Sequence, residues 1–254
     1  MTASTDAFQR GAFYLRQPKF GGHRAGMDAL VLAAAAPAGF AGRAADLGSG
    51  AGAAGLALIA RCPLASVTLV EAEPAMADFA RQSLLLPENA ALAKRADVLE
   101  TDVTLSGAAR EAAGLAASSF DFVISNPPFN APADRQAKGA LKRKAHVLEP
   151  GALGQWVKTA AAIARPRGQL AMILRPVLLP EMLGALAGRF GAIQIQPIHA
   201  RSEEAAIRIV IRAAKGSRAA LEMLPGLVLH AGSGQDFTAE AAAVFDGKAA
   251  LFSN

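Results

Sequence analysis

The sequence contains little of what several protein classes require. Its 254 residues include one cysteine, one tryptophan and one tyrosine, and charged residues make up only 19%. A single cysteine, Cys62, excludes an internal disulfide framework and a zinc site built from several cysteines. The four histidines are scattered without the spacing of metal ligands. We therefore expect no bound metal, and the cysteine usage favours the cytoplasm.

Long apolar runs are also missing. The longest stretches without a charged residue are 29–42 and 47–60. Both fall short of the roughly 18 residues of a membrane-spanning helix. The start, MTASTDAFQRG, lacks the basic and apolar segments of a secretory signal. Hydrophobic residues still make up 52%. We expect a folded, soluble protein with no membrane partner, divided into an N-terminal extension (1–27) and one domain (28–254).

The net charge of +5 is unevenly distributed. Residues 1–27 and residues 131–149 each hold more basic than acidic residues, and the second stretch includes Lys142, Arg143 and Lys144. Such a run favours contacts with the phosphates of a nucleic acid. An ordinary solvated loop would have the same composition, so the sequence leaves both interpretations open.

Strand-like and helical segments alternate through most of the chain. Short apolar or β-branched runs, such as 66–71 and 121–125, are separated by helical stretches, one of which follows Asp28 as its predicted N-cap. Two runs near the end, 192–198 and 205–211, predict an antiparallel pair. The pattern predicts an α/β fold with a mostly parallel sheet and helices on both faces.

A glycine-rich turn follows the first strand of this pattern, in the segment DLGSGAG. Gly48, Gly50 and Gly52 allow a sharp turn and a close approach of a ligand to the backbone. The acid before them, Asp46, would repel a pyrophosphate but can bind an ammonium group. This arrangement disfavours a dinucleotide and favours a ligand with a positive charge at the turn.

Two further acids follow the next strands. Glu71 ends the second strand, where a carboxylate can accept the hydroxyls of a ribose. Asp102 follows the third strand and could accept from an adenine amine, with Asp97 as a nearby alternative. An adenosine that carries an ammonium and no phosphate fits all three acids, and S-adenosylmethionine is such a ligand. The predicted cofactor-binding residues are Asp46, Leu47, Gly48, Gly50, Gly52, Glu71, Ala72, Asp102, Val103 and Asn126.

The fourth strand ends in the segment SNPPF. Because proline has no N–H group, the carbonyl of Pro127 and the side-chain oxygen of Asn126 are left as acceptors. Two acceptors can bind both N–H groups of a planar amine and free its lone pair to attack a methyl group. Phe129 offers a flat face for stacking on a base. We predict that Asn126, Pro127 and Phe129 are catalytic, and that Phe129, Lys142, Arg143 and Lys144 contact the substrate, although a rigid turn is the simpler interpretation of Asn-Pro alone.

Together, DLGSGAG and NPPF resemble the motifs of amino-methyltransferases. The segments QPKFGGHRAGMDALVLAAAAP, IHARSEEAAIRIVIRAAKG, LVLH and FTAE are similar to the bacterial tRNA(Val) adenine-N6-methyltransferase-like family over residues 10–245. The resemblance implies a Rossmann-like class I fold with seven strands in the order 3-2-1-4-5-7-6, the last antiparallel. It also implies S-adenosylmethionine as donor, an N-terminal extension over the cofactor cleft, and tRNA as substrate. The chain departs from the family at Met27, where Thr is frequent, and at Phe129, where Tyr is frequent.

The favoured function is therefore an S-adenosylmethionine-dependent N-methyltransferase acting on an exocyclic amine, with adenine N6 in tRNA preferred. The same reaction on a small molecule or a protein glutamine remains an alternative. A nicotinamide-dependent oxidoreductase is a further alternative, which Asp46 and the NPPF segment both disfavour. A non-catalytic RNA-binding module is another, which the intact motifs disfavour. The sequence is compatible with a homodimer but contains no pattern that indicates one.

Overall fold

The computed structural model describes residues 2–19, 24–128, 151–232 and 234–252. These residues form one large sheet, covered by helices, and a separate two-stranded hairpin. The strands of the large sheet are β3 (Arg43–Leu47), β4 (Ser66–Glu71), β5 (Ala96–Glu100), β6 (Phe120–Ser125), β7 (Ala164–Leu174), β8 (Phe190–His199), β9 (Ala206–Lys215), β10 (Glu222–Met223) and β11 (Leu227–Val228).

The sheet has the order β10-β8-β9-β7-β6-β3-β4-β5, with β11 also paired to β8. Strands β5, β4, β3, β6 and β7 are parallel, and β9 is antiparallel to both β7 and β8. The predicted antiparallel pair near the end of the chain is confirmed. The two short strands, β10 and β11, were not predicted and extend the sheet beyond the seven long strands.

Helices cover both faces of the sheet, as the alternating pattern predicted. Successive residues of β3 point to opposite sides, so Ala44 belongs to one buried cluster and Ala45 to the other. The helices are α1 (Met27–Ala33), α2 (Ala53–Arg61), α3 (Pro74–Leu84), α4 (Ala90–Ala93), α5 (Gly107–Ala112), α6 (Ala152–Ile163), α7 (Leu179–Leu186) and α8 (Ala239–Phe245). Among the described residues, no helix combines the length and the apolar character needed to cross a bilayer. The predicted α/β class is confirmed.

The N-terminal hairpin consists of β1 (Ala3–Phe8) and β2 (Phe13–Pro18). It packs on α3 and on the turn after it: the amide of Arg16 donates to Oγ of Ser83 in α3 at 2.9 Å, and the amide of Tyr14 donates to Oδ1 of Asn89 in the turn at 2.9 Å. Phe13 and Leu15 are fully buried there. The hairpin is therefore part of the core.

One predicted helix cap is wrong. Helix α1 begins at Met27 with Gly26 as its N-cap, so Asp28 lies inside the first turn and cannot cap it. The carboxylate of Asp28 instead accepts from Nε of Arg208 in β9 at 2.9 Å. This ion pair ties the first turn of α1 to the antiparallel strand.

Candidate active site

The glycine turn connects β3 to α2 at the carboxyl edge of the sheet. Gly48, Gly50 and Gly52 have φ values of 69°, 57° and 93°, in the left-handed region that favours glycine. The amides of Gly48 and Ser49 both donate to the carbonyl of Val70 in β4, at 2.8 and 3.0 Å. The turn is therefore held against the neighbouring strand before any ligand binds.

The three glycines differ in what surrounds them. A Cβ atom at Gly48 would lie 2.5 Å from the ring of Trp156 in α6, and one at Gly52 would lie 2.8 Å from Leu69. A Cβ at Gly50 would meet only Cε of Met76, at an ordinary 3.7 Å. Gly48 and Gly52 thus serve close packing, while Gly50 leaves space at the cleft.

Asp46 is buried beneath this turn, with only 2% of its surface exposed. Its Oδ2 accepts from the amide of Gly55 in α2 at 2.9 Å. Burial raises the pKa of Asp46 to about 7, against the opposing effect of the Gly55 hydrogen bond, and the negative charge of Glu71 adds to the rise. The carboxylate can therefore gain or lose its proton near neutral pH.

Glu71 lies across the turn from Asp46, at the end of β4. Its Oε2 accepts from the amide of Gly50 at 2.7 Å, and its Oε1 accepts from the amide of Glu73 at 2.9 Å. Because a carboxylate has about four acceptor positions, two remain for hydroxyl groups. Ala72, the next residue, is exposed beside it.

The two candidate acids near β5 lie at different heights in the sheet. Asp97 is the second residue of β5 and pairs with Thr68, toward the amino end of the strand. Asp102 lies beyond the carboxyl end, where its Oδ1 accepts from the amide and hydroxyl of Thr104 at 2.7 and 2.8 Å. Asp102 is therefore on the same edge as Asp46, and Asp97 is not.

Val103, which follows Asp102, is almost fully buried. Its carbonyl accepts from Oγ1 of Thr159 in α6 at 2.6 Å. Trp156 lies one turn earlier in the same helix and is buried against Gly48. Helix α6 thus supports both the glycine turn and the loop after β5.

The segment after β6 places an unpaired acceptor in the cleft. Oγ of Ser125 donates to the carbonyl of Leu47 at 2.7 Å, which joins the ends of β6 and β3. Oδ1 of Asn126 is buried and has no hydrogen-bond partner among the described residues. Pro127 is buried beside it. The other predicted substrate-contacting residues, Phe129, Lys142, Arg143 and Lys144, lie outside the described residues.

These parts enclose one cleft of about 470 Å³, including its open mouth. Asp46, the turn from Gly48 onward, the start of α2 and Asn126 line it on one side, while Ala25, Gly26 and Ala29 line the other. Oγ of Ser49, at the turn, is also buried without a partner in the described part of the chain. Sequence reasoning did not single out Ala25, Gly26 or Ala29, although the segment GGHRAGMDA that carries them was noted.

Across residues 2–19, 24–128, 151–232 and 234–252, no group of three histidines, cysteines or carboxylates is arranged to hold a metal ion. Cys62 is buried. The polar groups that converge on the cleft are therefore carboxylates, amides and hydroxyls.

Comparison with known proteins agrees with this architecture. The methyltransferase small domain family matches residues 20–200. A protein described as a predicted O-methyltransferase from Agrobacterium tumefaciens is 42% identical, over 88% of this chain and 97% of that one, with a TM-score of 0.77. The Thermus thermophilus 16S rRNA guanosine-N2 methyltransferase RsmC, in complex with AdoMet and guanosine, is 26% identical over 84% of this chain and 50% of that one, with a TM-score of 0.55. No curated protein sequence matches the chain.

The matched family spans the hairpin-to-α1 segment, the glycine turn and the strand that precedes Asn126. The family match and the 42% identical structure identify the reaction as methyl transfer, with S-adenosylmethionine as the donor. The chain belongs to the methyltransferase small domain family and is an S-adenosylmethionine-dependent methyltransferase.

Proposed function

We propose that this enzyme transfers a methyl group to an exocyclic amine of a nucleobase, with adenine N6 in tRNA as the preferred acceptor. The observation that carries the proposal is the buried, unpartnered Oδ1 of Asn126, which lines the same cleft as Asp46. A buried polar atom without a partner is costly, and a ligand that donates to it removes the cost. An amine has the N–H groups to do so.

The residues of the cleft suit S-adenosylmethionine. The open position at Gly50 gives a ligand access to the backbone, and Asp46 offers a carboxylate to a positively charged group. When bound, the cofactor supplies an electrophilic methyl group on a sulfonium. Leu47, Gly48, Gly50 and Gly52 hold the methionine end together with Asp46 in this proposal.

The remaining acids would bind the adenosine part. The two free acceptor positions of Glu71, beside Ala72, match the two hydroxyls of a ribose. Asp102 and the adjoining amide of Val103 would contact the adenine, and the position of Asp102 beyond the carboxyl end of β5 favours it over Asp97. These roles are proposed from the hydrogen bonds of Glu71, the position of Asp102 in the sheet and the sequence pattern.

Asn126 and Pro127 would align the acceptor amine. Their oxygens accept its two N–H groups, which leaves the nitrogen lone pair directed away from both bonds and available for the methyl group. Methyl transfer from a sulfonium depends mainly on this positioning. Phe129 would stack on the base, and Lys142, Arg143 and Lys144 would contact phosphates.

Two observations favour a nitrogen atom over an oxygen atom as the methyl acceptor. RsmC, which methylates a guanine amine of rRNA, has a similar fold at 26% identity. The Agrobacterium protein is described as an O-methyltransferase, and a hydroxyl acceptor needs a base to remove its proton. Among the described residues that line the cleft there is no histidine or lysine, and the proposal assigns Asp46 to the positively charged end of the cofactor. An amine acceptor is therefore favoured.

The proposal is tested with total tRNA from a strain that lacks the gene. The purified enzyme and labelled S-adenosylmethionine should place label in N6-methyladenosine, and Asn126→Ala should not. Label in N2-methylguanosine would keep the amine reaction but exclude adenine, and label on a ribose or other oxygen would exclude the amine. If this tRNA accepts no more label than wild-type tRNA, the tRNA substrate is wrong.

Three further predictions stand as proposals with this function. Residues 1–27 form an extension over the cofactor cleft and residues 28–254 the catalytic domain. The protein acts in the cytoplasm, where tRNA is found. A homodimer is compatible with these assignments, and none of them requires it.

A further inference from the structure

Positively charged residues are concentrated at the amino-terminal edge of the sheet, opposite the active site. Arg43 begins β3, Arg165 and Arg167 lie at the start of β7, and Arg189 immediately precedes β8. Because β9 runs antiparallel to β7 and β8, its last residue, Lys215, lies on the same edge. The cationic edge is defined as Arg43, Arg165, Arg167, Arg189, Lys215 and Arg218.

Five of the six residues lie at the ends of β3, β7, β9 and β8, and Arg218 follows β9, while the end of β6 between β3 and β7 carries Asp121. The strand order β3-β6-β7-β9-β8 places their ends side by side. At a spacing of about 4.8 Å between strands, five adjacent ends span about 19 Å. The amide of Gly216 also donates to the carbonyl of Arg189 at 2.9 Å, which joins the β8 and β9 ends of the row.

Little negative charge compensates this row. Asp121, at the start of β6, accepts from Nη1 of Arg165 at 2.7 Å. Arg43 lies over the ring of Phe120, and Lys215 donates to the carbonyl of Ala164, which are uncharged partners.

The other members of the row do not add an acid. Arg189 donates to the carbonyls of Ala185 and Ala187. Arg167 and Arg218 are exposed, and neither has an ion-pair partner within the described residues.

A further cation lies behind the edge. Burial, and then the nearby guanidinium of Arg110, lower the pKa of Lys215, and Arg110 is itself paired with Glu111 at 2.8 Å. Uncompensated like charges repel, and a bound polyanion would relieve the repulsion.

We propose that the cationic edge binds the phosphate backbone of the RNA substrate at a site separate from the acceptor pocket. Five of the six residues are arginines, whose planar guanidinium groups match phosphate oxygens. Along β6, Asp121 and Asn126 are five residues apart, about 17 Å. A single nucleotide cannot reach both places, so the proposal requires a large, folded RNA as the acceptor. This inference rests on the proposed RNA substrate.

The test reverses two exposed charges, Arg167→Glu with Arg218→Glu. The control reverses two exposed lysines elsewhere, Lys158→Glu in α6 with Lys248→Glu after α8, so both variants change the net charge equally. Binding of unmodified total tRNA is measured from low to high salt, and the affinity for S-adenosylmethionine is measured by calorimetry.

For the edge variant we expect an RNA affinity weaker by on the order of tenfold, and a slope of log affinity against log salt that is smaller by about two. Cofactor affinity should match that of the wild type in both variants. An unchanged slope in the edge variant, or an equal loss in the lysine control, would overturn the proposal.

The design also separates this inference from the proposed function. If the wild type binds tRNA through the edge but methylates none, the proposed function fails and the edge stands. If the wild type methylates tRNA and the edge variant does so with an unchanged KM, the edge fails alone. Displacement of tRNA by polyglutamate at equal charge concentration would identify an acidic polypeptide as the partner and overturn the RNA assignment.

Discussion

Gln17 in the N-terminal hairpin and Ala25 in the wall of the cofactor cleft are joined by a hydrogen bond of 2.8 Å, from the amide of Ala25 to Oε1 of Gln17. The other end of the same side chain donates to Oδ2 of Asp6 at 2.8 Å, and Nη2 of Arg24 donates to that oxygen at 2.7 Å. Only 1% of Gln17 is exposed. The hairpin therefore fixes the segment that lines the cleft opposite the glycine turn.

Gln17→Leu is expected to weaken cofactor binding. The substitution leaves the amide of Ala25 without its partner, a loss of about 1–3 kcal/mol if the group stays buried. We expect the Kd for S-adenosylmethionine to rise by about tenfold, with kcat at saturating cofactor within about twofold of the wild type.

The matched control for this variant is Arg10→Ala. It also removes a hairpin contact, the exposed ion pair of Arg10 with Asp246 at 2.7 Å, but at a distance from the cleft lining. Exposed pairs contribute little to stability, so its Kd should equal that of the wild type. A folded Gln17→Leu protein with wild-type affinity would show that the hairpin does not position the cleft.

Asn126→Ala should separate binding from turnover. Its side-chain Oδ1 offers a buried acceptor to the amine and, within the described part of the chain, makes no hydrogen bond to the glycine turn. We expect the Kd for S-adenosylmethionine to stay within about twofold and kcat to fall by about 100-fold, as when a hydrogen bond made to the reacting group is lost.

Ser49→Ala provides the comparison, because Oγ of Ser49 is the other unpartnered buried oxygen in the cleft among the described residues. It lies on the cofactor side, so its removal should alter Kd more than kcat. An equal loss of kcat in both variants would contradict the role of Asn126 in aligning the amine.

Much of the site follows from the order of strands and turns. Once β3, β4 and β6 are parallel neighbours, the residues after them meet at one edge, and the sequence places Asp46, Glu71 and Asn126 there. The same reasoning distinguishes Asp102 from Asp97, since only the former lies past the end of β5. These positions could be predicted because they depend on local pattern and topology alone.

The strand pairing and the individual contacts of the N-terminal segment could not be predicted in this way. Its contacts join residues far apart in the chain, such as Tyr14 with Asn89, 75 residues away. Such pairings leave no periodic signal in a sequence. The same cause explains the error at Asp28, whose partner Arg208 is 180 residues away and competes with a local capping role.

Two glycines of the turn, Gly48 and Gly50, should respond differently to alanine. At Gly48 a methyl group would meet the ring of Trp156 at 2.5 Å as well as the unfavourable φ of 69°, whereas at Gly50 only the unfavourable φ of 57° applies. We expect Gly48→Ala to lower the free energy of unfolding by about 2–4 kcal/mol and Gly50→Ala by about 1–2 kcal/mol.

Denaturant unfolding is followed by far-UV circular dichroism, because Trp156 is the only tryptophan in the chain and one background of the cycle lacks it. A second variant, Gly48→Ala with Trp156→Leu, makes room for the methyl group. It should show a positive coupling, with Gly48→Ala costing less stability in the leucine background than in the wild type. Equal costs in both backgrounds would show that the ring does not exclude a side chain at position 48.

The raised pKa of Asp46 also predicts how stability depends on pH. Its value of about 7 in the folded protein lies above the ordinary 3.8, so between these values the folded state binds more protons than the unfolded state. The contribution of Asp46 to the free energy of unfolding therefore falls as pH rises from about 4 to 7 and is constant above pH 7. Asp46→Asn should flatten this part of the curve measured by thermal unfolding at a series of pH values. A curve with the wild-type slope in that variant would place the titration elsewhere.

Cofactor binding should show the opposite trend with pH. The positive charge of S-adenosylmethionine favours the ionised form of Asp46, so affinity should rise as pH increases toward 7. Between pH 5.5 and 7, where the amino group of the cofactor stays largely protonated, we expect the Kd to fall by about tenfold. Calorimetry at pH 6.5 in buffers of different ionisation enthalpy should detect a proton released on binding. The Asp102→Asn variant should keep both the proton release and the pH dependence. The Asp46→Asn variant should bind the cofactor weakly, with no proton release and no pH dependence. A proton release that persists in Asp46→Asn would assign the proton to another group.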